Sequence, residues 1–570
     1  MDENTKRTLI FMIIFSILFM VINIYFYMTT PKKEAVTENT IKEKEVEDKE
    51  IKTIKKIDKF IIINKKEYKE NIFYENENLK IEFDQNDALV KSVFIKKYSN
   101  TDLINSTNNF GSLKLKFGSW KNGIELKDLT GGDNFYNFEQ QGNSYIFSCE
   151  LKDLNNDNIY IIKKIYTFDD KEYIFKLNIE ISNKNGIPLN FDNSGVAYSI
   201  AWQSKFQNNV INKQNRKYNY YSFFNGKKVI KVLENSDIIK KSNNRVAEIK
   251  TTGVETWLAK EDRYFTTIML PDYQNYNYFF DYSDIETYSC GFSRITDKSI
   301  LKSTFYIYNG PKLRSILKKY NNYSNENFEI KNSNLSKIVQ PIMFWIGDGI
   351  GFIINIIYKI FRNYGIAIIL LTIIIKLLLY PLTHKSMESQ EKMTKLQPKL
   401  KELQQKYKDN PEALNRETMN LYKKEGVNPF GGCLPLLLQM PILIAMYQLL
   451  DRMVELKGAG FLWIKDLSLP DAIWTFPNNF VIPLINIGSI NILPIVMVVV
   501  QVLSSLFQPE VQSNSQTKMM MWMLPLIFFF LFYNVSSGLV LYWTVMNILT
   551  LGQQLLKKYL FPKIFTKRLT

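Results

Sequence analysis

The stretch IAIILLTIIIKLLLYPL, residues 366–382, decides the fold, because it is a continuous apolar run that carries one charge, Lys376. A transmembrane helix needs about 20 mainly apolar residues, with a range of about 17–25. Three of the chain's five C-terminal apolar segments approach or exceed that length, and the two shorter ones can extend into flanking residues. The other four segments lie at 433–450, 492–507, 519–533 and 538–556. The C-terminal part is therefore predicted to be a polytopic α-helical membrane region.

Another apolar run, residues 9–28, follows Lys6 and Arg7 near the N-terminus. It is longer than the apolar region of a cleaved signal peptide, which has about 7–15 residues and a small-residue cleavage site. Aromatic residues follow the run in place of such a site. Residues 1–29 are therefore predicted to be an uncleaved signal anchor with its N-terminus in the cytoplasm.

The region between these two apolar parts has a different character. Residues 30–56 are rich in Lys and Glu, which predicts a solvated linker. Over residues 57–335, short apolar or aromatic runs such as SYIFSCEL and EYIFKLNIEI alternate with Asn, Gly, Asp and Ser. This period-two pattern with frequent turns predicts a large antiparallel β-sandwich, which the anchor places outside the cytoplasm.

The charges of the loops predict the topology. The loop 383–426 carries ten Lys and Arg, and the tail 557–570 carries five basic residues and no acid. Short loops this basic stay in the cytoplasm, whereas the loop 451–478, with three basic residues, belongs outside. Residues 336–363 then fit an amphipathic helix in the outer interface, because a span there would put the basic loop outside. A span over 341–363 is the alternative. The count is six spans with both termini inside.

The basic loop 383–426 is itself predicted to be folded. Apolar residues with alternating spacings of three and four form one helical seam, at Met393, Leu396, Leu400, Leu403 and Tyr407. Asn410 followed by Pro411 is typical of an N-cap and a first helical turn, so a second helix is expected to run to Gly426. An antiparallel helical hairpin in the cytoplasm follows. Its ten basic and seven acidic residues give weak support for nucleic-acid binding.

Lys376 is the one charge within the predicted spans 364–382 and 427–556 that falls near mid-bilayer. Leaving it in lipid would cost about 2.5–3.5 kcal/mol on insertion scales, and the other apolar segments contain no Asp or Glu to pair with it. A water-filled polar cavity inside the bundle is therefore expected, with snorkelling to the cytoplasmic face as the alternative. The uncharged polar companions are Thr372, Gln439, Gln501, Ser504, Ser505, Thr544 and Asn547.

Composition narrows the classes of function. The 72 Lys and Arg against 56 Asp and Glu give a net charge of +16, which favours an acidic partner such as nucleic acid, anionic lipid or an acidic peptide. The three cysteines form no CxxC pair, so a zinc module or a disulfide scaffold is excluded, although a pair between Cys149 and Cys290 is left open. Because His384 is the single histidine, neither a catalytic triad nor a histidine metal site is expected. No enzyme activity, cofactor or metal is predicted.

Six motifs of the sequence are distinctive. They are TWLAKEDRYFTTIMLP (256–271), YNGPKLRSILKKY (308–320), NYGIAIILLTIIIKLLLYPLT (363–383), KMTKLQPKLKELQQKY (392–407), NPFGGCLPLLLQMPILIAMYQLL (428–450) and SSGLVLYWTVMNILTLGQQ (536–554). They resemble motifs of the YidC family of membrane protein insertases, of the type with a large periplasmic domain. They occur in the family's order, and the resemblance covers essentially the whole chain.

The resemblance implies a periplasmic β-supersandwich and a core of five helices around a hydrophilic groove that is closed on the outside. Lys376 stands where the family usually has Arg, so the charge is kept and the bidentate fork is not. The other groove positions implied are Thr372, Gln439, Met440, Leu443, Tyr542 and Trp543. Ordinary helix packing is the alternative for each of them.

The function implied is insertion and folding of membrane proteins in the bacterial inner membrane, alone or with the Sec translocon. The implied partners are nascent membrane proteins, the translocon, membrane lipid and the ribosome through the hairpin, with a monomer as the functional unit and no small-molecule substrate. A solute transporter or channel is the rival, but it predicts inverted repeats, which are not seen. A sugar-active sandwich is a weaker rival, since residues 57–335 contain no histidine.

Overall fold

The computed structural model describes most of the chain from Phe60 to Tyr559. The described residues are 60–98, 101–104, 111–132, 134–155, 157–189, 194–205, 218–232, 237–240, 242, 245–250, 257–272, 276–284, 287–296, 298–339, 344–408, 410–426, 434–477, 487–506 and 515–559. The predicted anchor 1–29, the linker 30–56 and most of the tail 557–570 lie outside them. The chain divides into two compact units between Val339 and Gln340.

The first unit is built from antiparallel strands. They are β1 (Phe60–Ile63), β2 (Ile72–Glu75), β3 (Leu79–Asp84), β4 (Leu89–Ile95), β5 (Thr101–Asp102), β6 (Lys114–Phe117), β7 (Asn137–Gln141), β8 (Ser144–Asp153), β9 (Ile159–Thr167), β10 (Ile174–Asn183), β11 (Val196–Lys205), β12 (Tyr220–Phe224), β13 (Val229–Val232), β14 (Val246–Lys250), β15 (Leu258–Glu261), β16 (Phe265–Pro271), β17 (Tyr276–Asp281), β18 (Thr287–Ile295), β19 (Ile300–Pro311), β20 (Tyr323–Ser324) and β21 (Glu329–Ile330). Short helices connect some of them, at α1 (Leu126–Leu129), α2 (Asp237–Lys240), α3 (Arg314–Lys319) and a 3₁₀ turn (Leu335–Ile338).

Three sheets make up most of this unit. The largest has ten strands in the order β1-β8-β9-β10-β19-β16-β15-β12-β13, with β7 beside β8. A second has the order β14-β17-β18-β11-β6, and a third the order β2-β3-β4-β5. Aromatic rings join the sheets: Phe292 on β18 lies 5.6 Å from Phe305 on β19, and Phe83 on β3 lies 4.9 Å from Tyr166 on β9. The smaller sheets therefore pack on the large one.

Burial along the strands follows the period-two pattern of the sequence. In β8 every second residue, from Tyr145 to Asp153, is buried, as expected when one face of a strand covers a core. The predicted antiparallel β-sandwich is confirmed. Cys149 and Cys290 are both buried free thiols, so they form no disulfide with each other.

The second unit is helical. Its helices are α4 (Phe344–Phe361), α5 (Tyr364–Lys395), α6 (Gln397–Lys406), α7 (Pro411–Lys424), α8 (Leu434–Leu450), α9 (Ile492–Leu506), α10 (Ser515–Phe532) and α11 (Ser537–Tyr559), and a two-stranded sheet joins β22 (Ala472–Thr475) to β23 (Ser489–Asn491). Among the described residues, two helices are long and apolar enough to cross a membrane, Tyr364–Ser386 and Ser537–Leu556, and Gln439–Leu450, Ile492–Leu506 and Met523–Phe532 are shorter apolar helices. The count of six spans stays a prediction.

Helix α4 occupies the region predicted to be an interfacial helix. Ile350, Ile354 and Ile357 are buried in the core of the unit. Phe352 and Ile360 are exposed on its other side. The exposed side also carries polar and charged residues such as Asp348 and Lys359, and this mixture suits a helix that lies in a membrane interface.

The basic loop contains two short helices, α6 and α7. The predicted seam starts at Met393, whereas α6 begins at Gln397. Helix α5 continues past the predicted span to Lys395, and α6 begins at Gln397 after a break at Leu396. The seam from Met393 to Tyr407 is therefore shared by two helices. The predicted cap is confirmed, because the backbone N–H of Ala413 donates to Asn410 Oδ1 over 3.0 Å.

One end of the helical unit is covered by residues 451–471, here called the bundle cap. Leu456, Ile464 and Leu467 of the bundle cap are buried in the core. Its carbonyls accept from the first residues of α11, with 2.8 Å from Ser537 N to Leu469 O and 2.9 Å from Gly538 N to Leu467 O.

A glycine at the start of α5 allows the bundle cap to approach that helix. A Cβ at Gly365 would lie 2.1 Å from the Phe461 ring. No larger residue fits there without a shift. The starts of α5 and α11 therefore meet the bundle cap at the same end of the unit.

Candidate functional site

Lys376 lies on α5, 12 residues after Tyr364, which is about 18 Å along the helix from its start at the bundle cap. Its ammonium Nζ donates to Thr550 Oγ1 on α11 over 2.8 Å. The Thr550 hydroxyl donates in turn to the carbonyl of Met546, also over 2.8 Å. Within the described part of the chain Lys376 makes no ion pair. An ammonium has three N–H donors, so it keeps capacity for an acceptor.

The polar residues of α11 form a stripe at Thr544, Asn547, Thr550 and Gln554, with spacings of three, three and four. Such spacing places them along one side of a helix. Gln554 Oε1 accepts from Ser504 Oγ on α9 over 3.0 Å, so the stripe is connected to two neighbouring helices.

Thr550 and Gln554 were not among the residues singled out from the sequence. Thr544 and Asn547 were, and continuing their spacing along α11 would have found the other two.

Five buried polar atoms on α8, α9 and α11 have no hydrogen-bond partner of good geometry among the described residues. They are Gln439 Nε2, Gln501 Oε1, Tyr542 Oη, Trp543 Nε1 and Asn547 Nδ2. The Tyr542 hydroxyl lies beside Gln439, but the pair lacks good hydrogen-bond geometry. A buried polar group left unpaired costs about 1–3 kcal/mol. These atoms are the ones that water or a polar peptide group could satisfy.

The implied groove residues differ in what they offer. Gln439 and Met440 are half-buried. Thr372 is fully buried, and its hydroxyl donates to the Ile368 carbonyl over 2.6 Å, so it is satisfied within its own helix. Leu443 is buried in the apolar core.

The two aromatic groove residues, Tyr542 and Trp543, are also buried in that core. The Trp543 ring lies 5.2 Å from Phe528 and 5.8 Å from Phe532. Leu443 and the Trp543 ring thus pack in the core, while Lys376, Gln439 and the Tyr542 hydroxyl carry free polar capacity.

The outward faces of these helices are apolar. On α5, Leu377 and Leu378 next to Lys376 are 65% and 73% exposed. On α9, the exposed residues Ile495, Val499 and Leu503 lie four residues apart. Polar groups inside and apolar groups outside are the arrangement expected in a lipid bilayer.

Family models match both units. The model for the 60Kd inner membrane protein matches residues 356–563, and the model for the YidC periplasmic domain matches residues 72–339. The membrane protein insertase YidC of Treponema denticola is 36% identical over 432 residues, which is 72% of this chain and 72% of that protein.

Two solved structures are also similar. A crystal structure of an active YidC insertase covers 87% of this chain and 94% of that chain, with 17% identity and a TM-score of 0.36. A galactose mutarotase related enzyme from Lactobacillus acidophilus covers 46% of this chain and 99% of that chain, with 10% identity and a TM-score of 0.31. On the identity to the Treponema protein and the two family models, the chain belongs to the YidC family of membrane protein insertases.

Proposed function

We propose that the chain inserts and folds integral membrane proteins through a hydrophilic groove, alone or with the Sec translocon. The groove is lined by Lys376, Thr372, Gln439, Met440, Leu443, Tyr542 and Trp543, to which the structure leads us to add Thr550. The observation that carries the proposal is a cation held by one hydroxyl, in a bundle that also contains unpaired buried amide, hydroxyl and indole groups.

The proposed topology has six spans, with both termini in the cytoplasm and residues 30–363 in the periplasm. The anchor 1–29 is the first span, residues 364–382 are the second, and residues 427–556 contain the other four. The hairpin 383–426 and the tail 557–570 then face the ribosome side. The bundle cap supports a groove closed toward the periplasm, because its buried residues cover the end where α5 and α11 begin.

The mechanism follows from desolvation. A nascent hydrophobic segment with a short polar tail meets the hairpin, and the tail enters the groove, where unpaired donors replace part of its hydration. Lys376 attracts acidic groups of the tail as a single point charge, since a lysine lacks the bidentate fork of arginine. Transfer of the apolar segment into lipid, at about 25 cal/mol per Å² of apolar surface, then drives release. No nucleotide is required.

The proposed partners are nascent membrane proteins, the Sec translocon, membrane lipid and the ribosome through the hairpin, and the functional unit is a monomer. The exposed Lys399–Glu425 ion pair, 2.8 Å between Lys399 Nζ and Glu425 Oε1, joins α6 to the end of α7 and supports a hairpin that presents a single surface.

Replacing Lys376 with Glu tests the charge step. The rate of insertion of a small client with an acidic tail should fall by roughly tenfold, because attraction becomes repulsion, and tenfold corresponds to about 1.4 kcal/mol. Insertion is measured by protease protection in proteoliposomes, with equal amounts of each variant. A client with a neutral tail should be affected much less.

Two matched variants complete the test. Lys376→Arg keeps the charge and should retain insertion. Lys121→Glu makes the same charge change at an exposed position of the β-sandwich, away from the groove and the hairpin, and should leave insertion unchanged. Normal insertion of the acidic client by Lys376→Glu, or an equal loss in Lys121→Glu, would contradict the charge step.

A further inference from the structure

Exposed aromatic and aliphatic side chains lie on the bundle cap and on the strand that follows it. Leu462 is 75% exposed and Trp463 is 44% exposed, at the tip of a tight turn. Ile473 and Trp474, on β22, are 53% and 54% exposed. The turn 461–464 and the strand Ala472–Thr475 contain no charged residue. Exposed apolar side chains grouped in this way are typical of an interaction surface.

This patch is held in place by defined contacts. In the turn, Phe461 and Ile464 exchange both backbone hydrogen bonds, over 2.8 and 2.9 Å, and Leu462 has a positive φ of 52°. Asp471 Oδ2 accepts from Trp463 Nε1 over 3.3 Å and from Leu493 N at the start of α9 over 2.7 Å. The aromatic side chains are therefore presented by a fixed scaffold tied to a helix end.

The second strand is tied to the bundle as well. Asn491 Nδ2 donates to the Tyr533 carbonyl over 2.7 Å, and the Tyr533 hydroxyl donates to the Ser489 carbonyl over 2.8 Å. The sheet of β22 and β23 is thus anchored at the junction of α9 with the residues that follow α10.

The patch is continuous with the outward apolar face of α9. Ile490 on β23 and Ile492 at the start of α9 are exposed, and Ile495 and Val499 extend the same face along the helix. No described residue of the protein covers that face, and in the proposed topology it contacts lipid. A surface continuous with it meets the same bilayer at the level where the helix begins.

The backbone of the patch sets its depth. A two-stranded sheet has open edges, whose N–H and C=O groups are not tolerated in the hydrocarbon region. Trp side chains prefer the membrane–water interface, and the exposed Lys465 directly after the turn suits the level of lipid phosphates. The patch therefore fits the boundary between headgroups and acyl chains and not the middle of the bilayer.

We infer that the turn 461–464 and strand β22 form a membrane anchor, whose side chains Leu462, Trp463, Ile473 and Trp474 insert into the headgroup–acyl boundary of the leaflet beside the bundle cap. In the proposed topology this is the periplasmic leaflet. The inferred contact with lipid does not depend on which leaflet it is. By fixing the depth of the bundle cap, the anchor also fixes the depth of Lys376, about 18 Å along α5.

Quenching of tryptophan fluorescence by brominated lipid tests the anchor. The full chain is reconstituted into vesicles of phosphatidylethanolamine and phosphatidylglycerol that contain phosphatidylcholine brominated either near the headgroup or near the chain end. Trp474→Phe is compared with the unaltered chain. Since Trp474 is one of eight tryptophans, its removal should lower the total emission only in part. It should take away a larger share of the emission that shallow bromolipid quenches.

The matched control is Trp120→Phe in the β-sandwich, where the ring is buried and stacked on Phe279. Its removal should leave the bromolipid-quenched emission unchanged. Trp463→Phe is a second test position at the tip of the turn and should repeat the Trp474 result. Circular dichroism checks that each variant is folded.

Three results would overturn the anchor. Emission from Trp474 that aqueous iodide quenches and bromolipid does not would place the patch in water. Emission that neither agent quenches would mean that another protein segment covers it. Stronger quenching by lipid brominated near the chain end would place it in the hydrocarbon. None of these results bears on insertion through Lys376, so failure of the anchor is distinguishable from failure of the proposed function.

Discussion

The two units each contain a lysine withdrawn from water, and their surroundings differ. Lys164 on β9 is fully buried, and its Nζ donates to the carbonyls of Asp87, Ala88 and Leu113, over 3.2, 2.6 and 2.8 Å. Lys376 on α5 is half-buried and donates to one hydroxyl, that of Thr550. All three donors of Lys164 are used, whereas Lys376 keeps donors for another acceptor.

The backbone around Lys164 explains why it is coordinated so completely. Asp87, Ala88 and Leu113 all have positive φ, between 47° and 59°, which non-glycine residues rarely adopt. Their carbonyls converge on the ammonium, which therefore holds two unusual turns in place. Lys164 is structural, whereas nothing in the described bundle is fixed by Lys376 in the same way. The comparison teaches that a lysine whose three N–H donors are all used stabilises the fold, whereas a lysine with unused N–H donors can bind a further acceptor.

The largest expected effect is a difference in folding stability between two substitutions, each of which removes one of these ammonium groups. Lys164→Met should destabilise the β-sandwich by about 2–4 kcal/mol, because buried carbonyls lose their donor. Lys376→Met should change stability by less than about 1 kcal/mol, since Thr550 keeps its own acceptor. Urea and thermal unfolding of the full chain, followed by tryptophan fluorescence, measure both.

Lys163→Met, on the same strand and half-exposed, is the control and should behave like the unaltered chain. Equal losses of stability for Lys164→Met and Lys376→Met would break the distinction between the two sites.

The second effect is a pH dependence of the β-sandwich. Burial lowers the pKa of Lys164 to about 7, partly opposed by the negative charge of Asp87. An unfolded lysine has a pKa of about 10.4, so between pH 7 and that value the unfolded chain binds more protons. Stability should therefore rise with pH across this window, by at most about 1.4 kcal/mol per pH unit, and this contribution should be constant below about pH 7.

Urea unfolding at several pH values measures this slope, and Lys164→Met should remove it. A slope that persists in Lys164→Met would assign the pH dependence to another group.

The smallest expected effect sharpens the account of Lys376. Thr550→Val removes the hydroxyl that accepts from Lys376 while keeping the shape of the side chain. Loss of one hydrogen bond corresponds to about 0.5–1.5 kcal/mol, so insertion of an acidic client should fall by roughly twofold to tenfold at most. Thr550→Ser keeps the hydroxyl and should restore the rate. A loss in Thr550→Val larger than that in Lys376→Glu would make Thr550, and not the charge, the main contact.

Much of the architecture could be predicted from local patterns. Period-two alternation of apolar residues predicted strands such as β8, and apolar runs predicted helices α8, α9 and α11. The seam of the hairpin was predicted, but the break at Leu396 was not, because a seam continues across two helices that share a face. Helix α5 also continues beyond the predicted span end at residue 382, with Pro381 inside it.

The sites were less predictable than the elements. Lys376 stood out because a charge in an apolar run is rare, yet its partner Thr550 is 174 residues away. Which residues of α11 face α5 depends on the rotation of α11 about its axis, and packing against α9 sets that rotation. The burial of Lys164 could not be predicted, because a lysine in an alternating strand pattern is normally expected to face solvent. Its acceptors are backbone carbonyls, which every sequence possesses.

By itself, the sequence determined the kind of each segment, since strand and helix periodicity, span length and loop charge are properties of neighbouring residues. The tertiary structure decided which polar groups are satisfied and which are left open. Among the described residues, it brought three turn carbonyls to Lys164 and one hydroxyl to Lys376, and it fixed Trp463 and Leu493 to the same carboxylate of Asp471. The physical reason is that hydrogen-bond coordination requires atoms from distant parts of the chain to lie within about 3 Å, and only packing sets those distances.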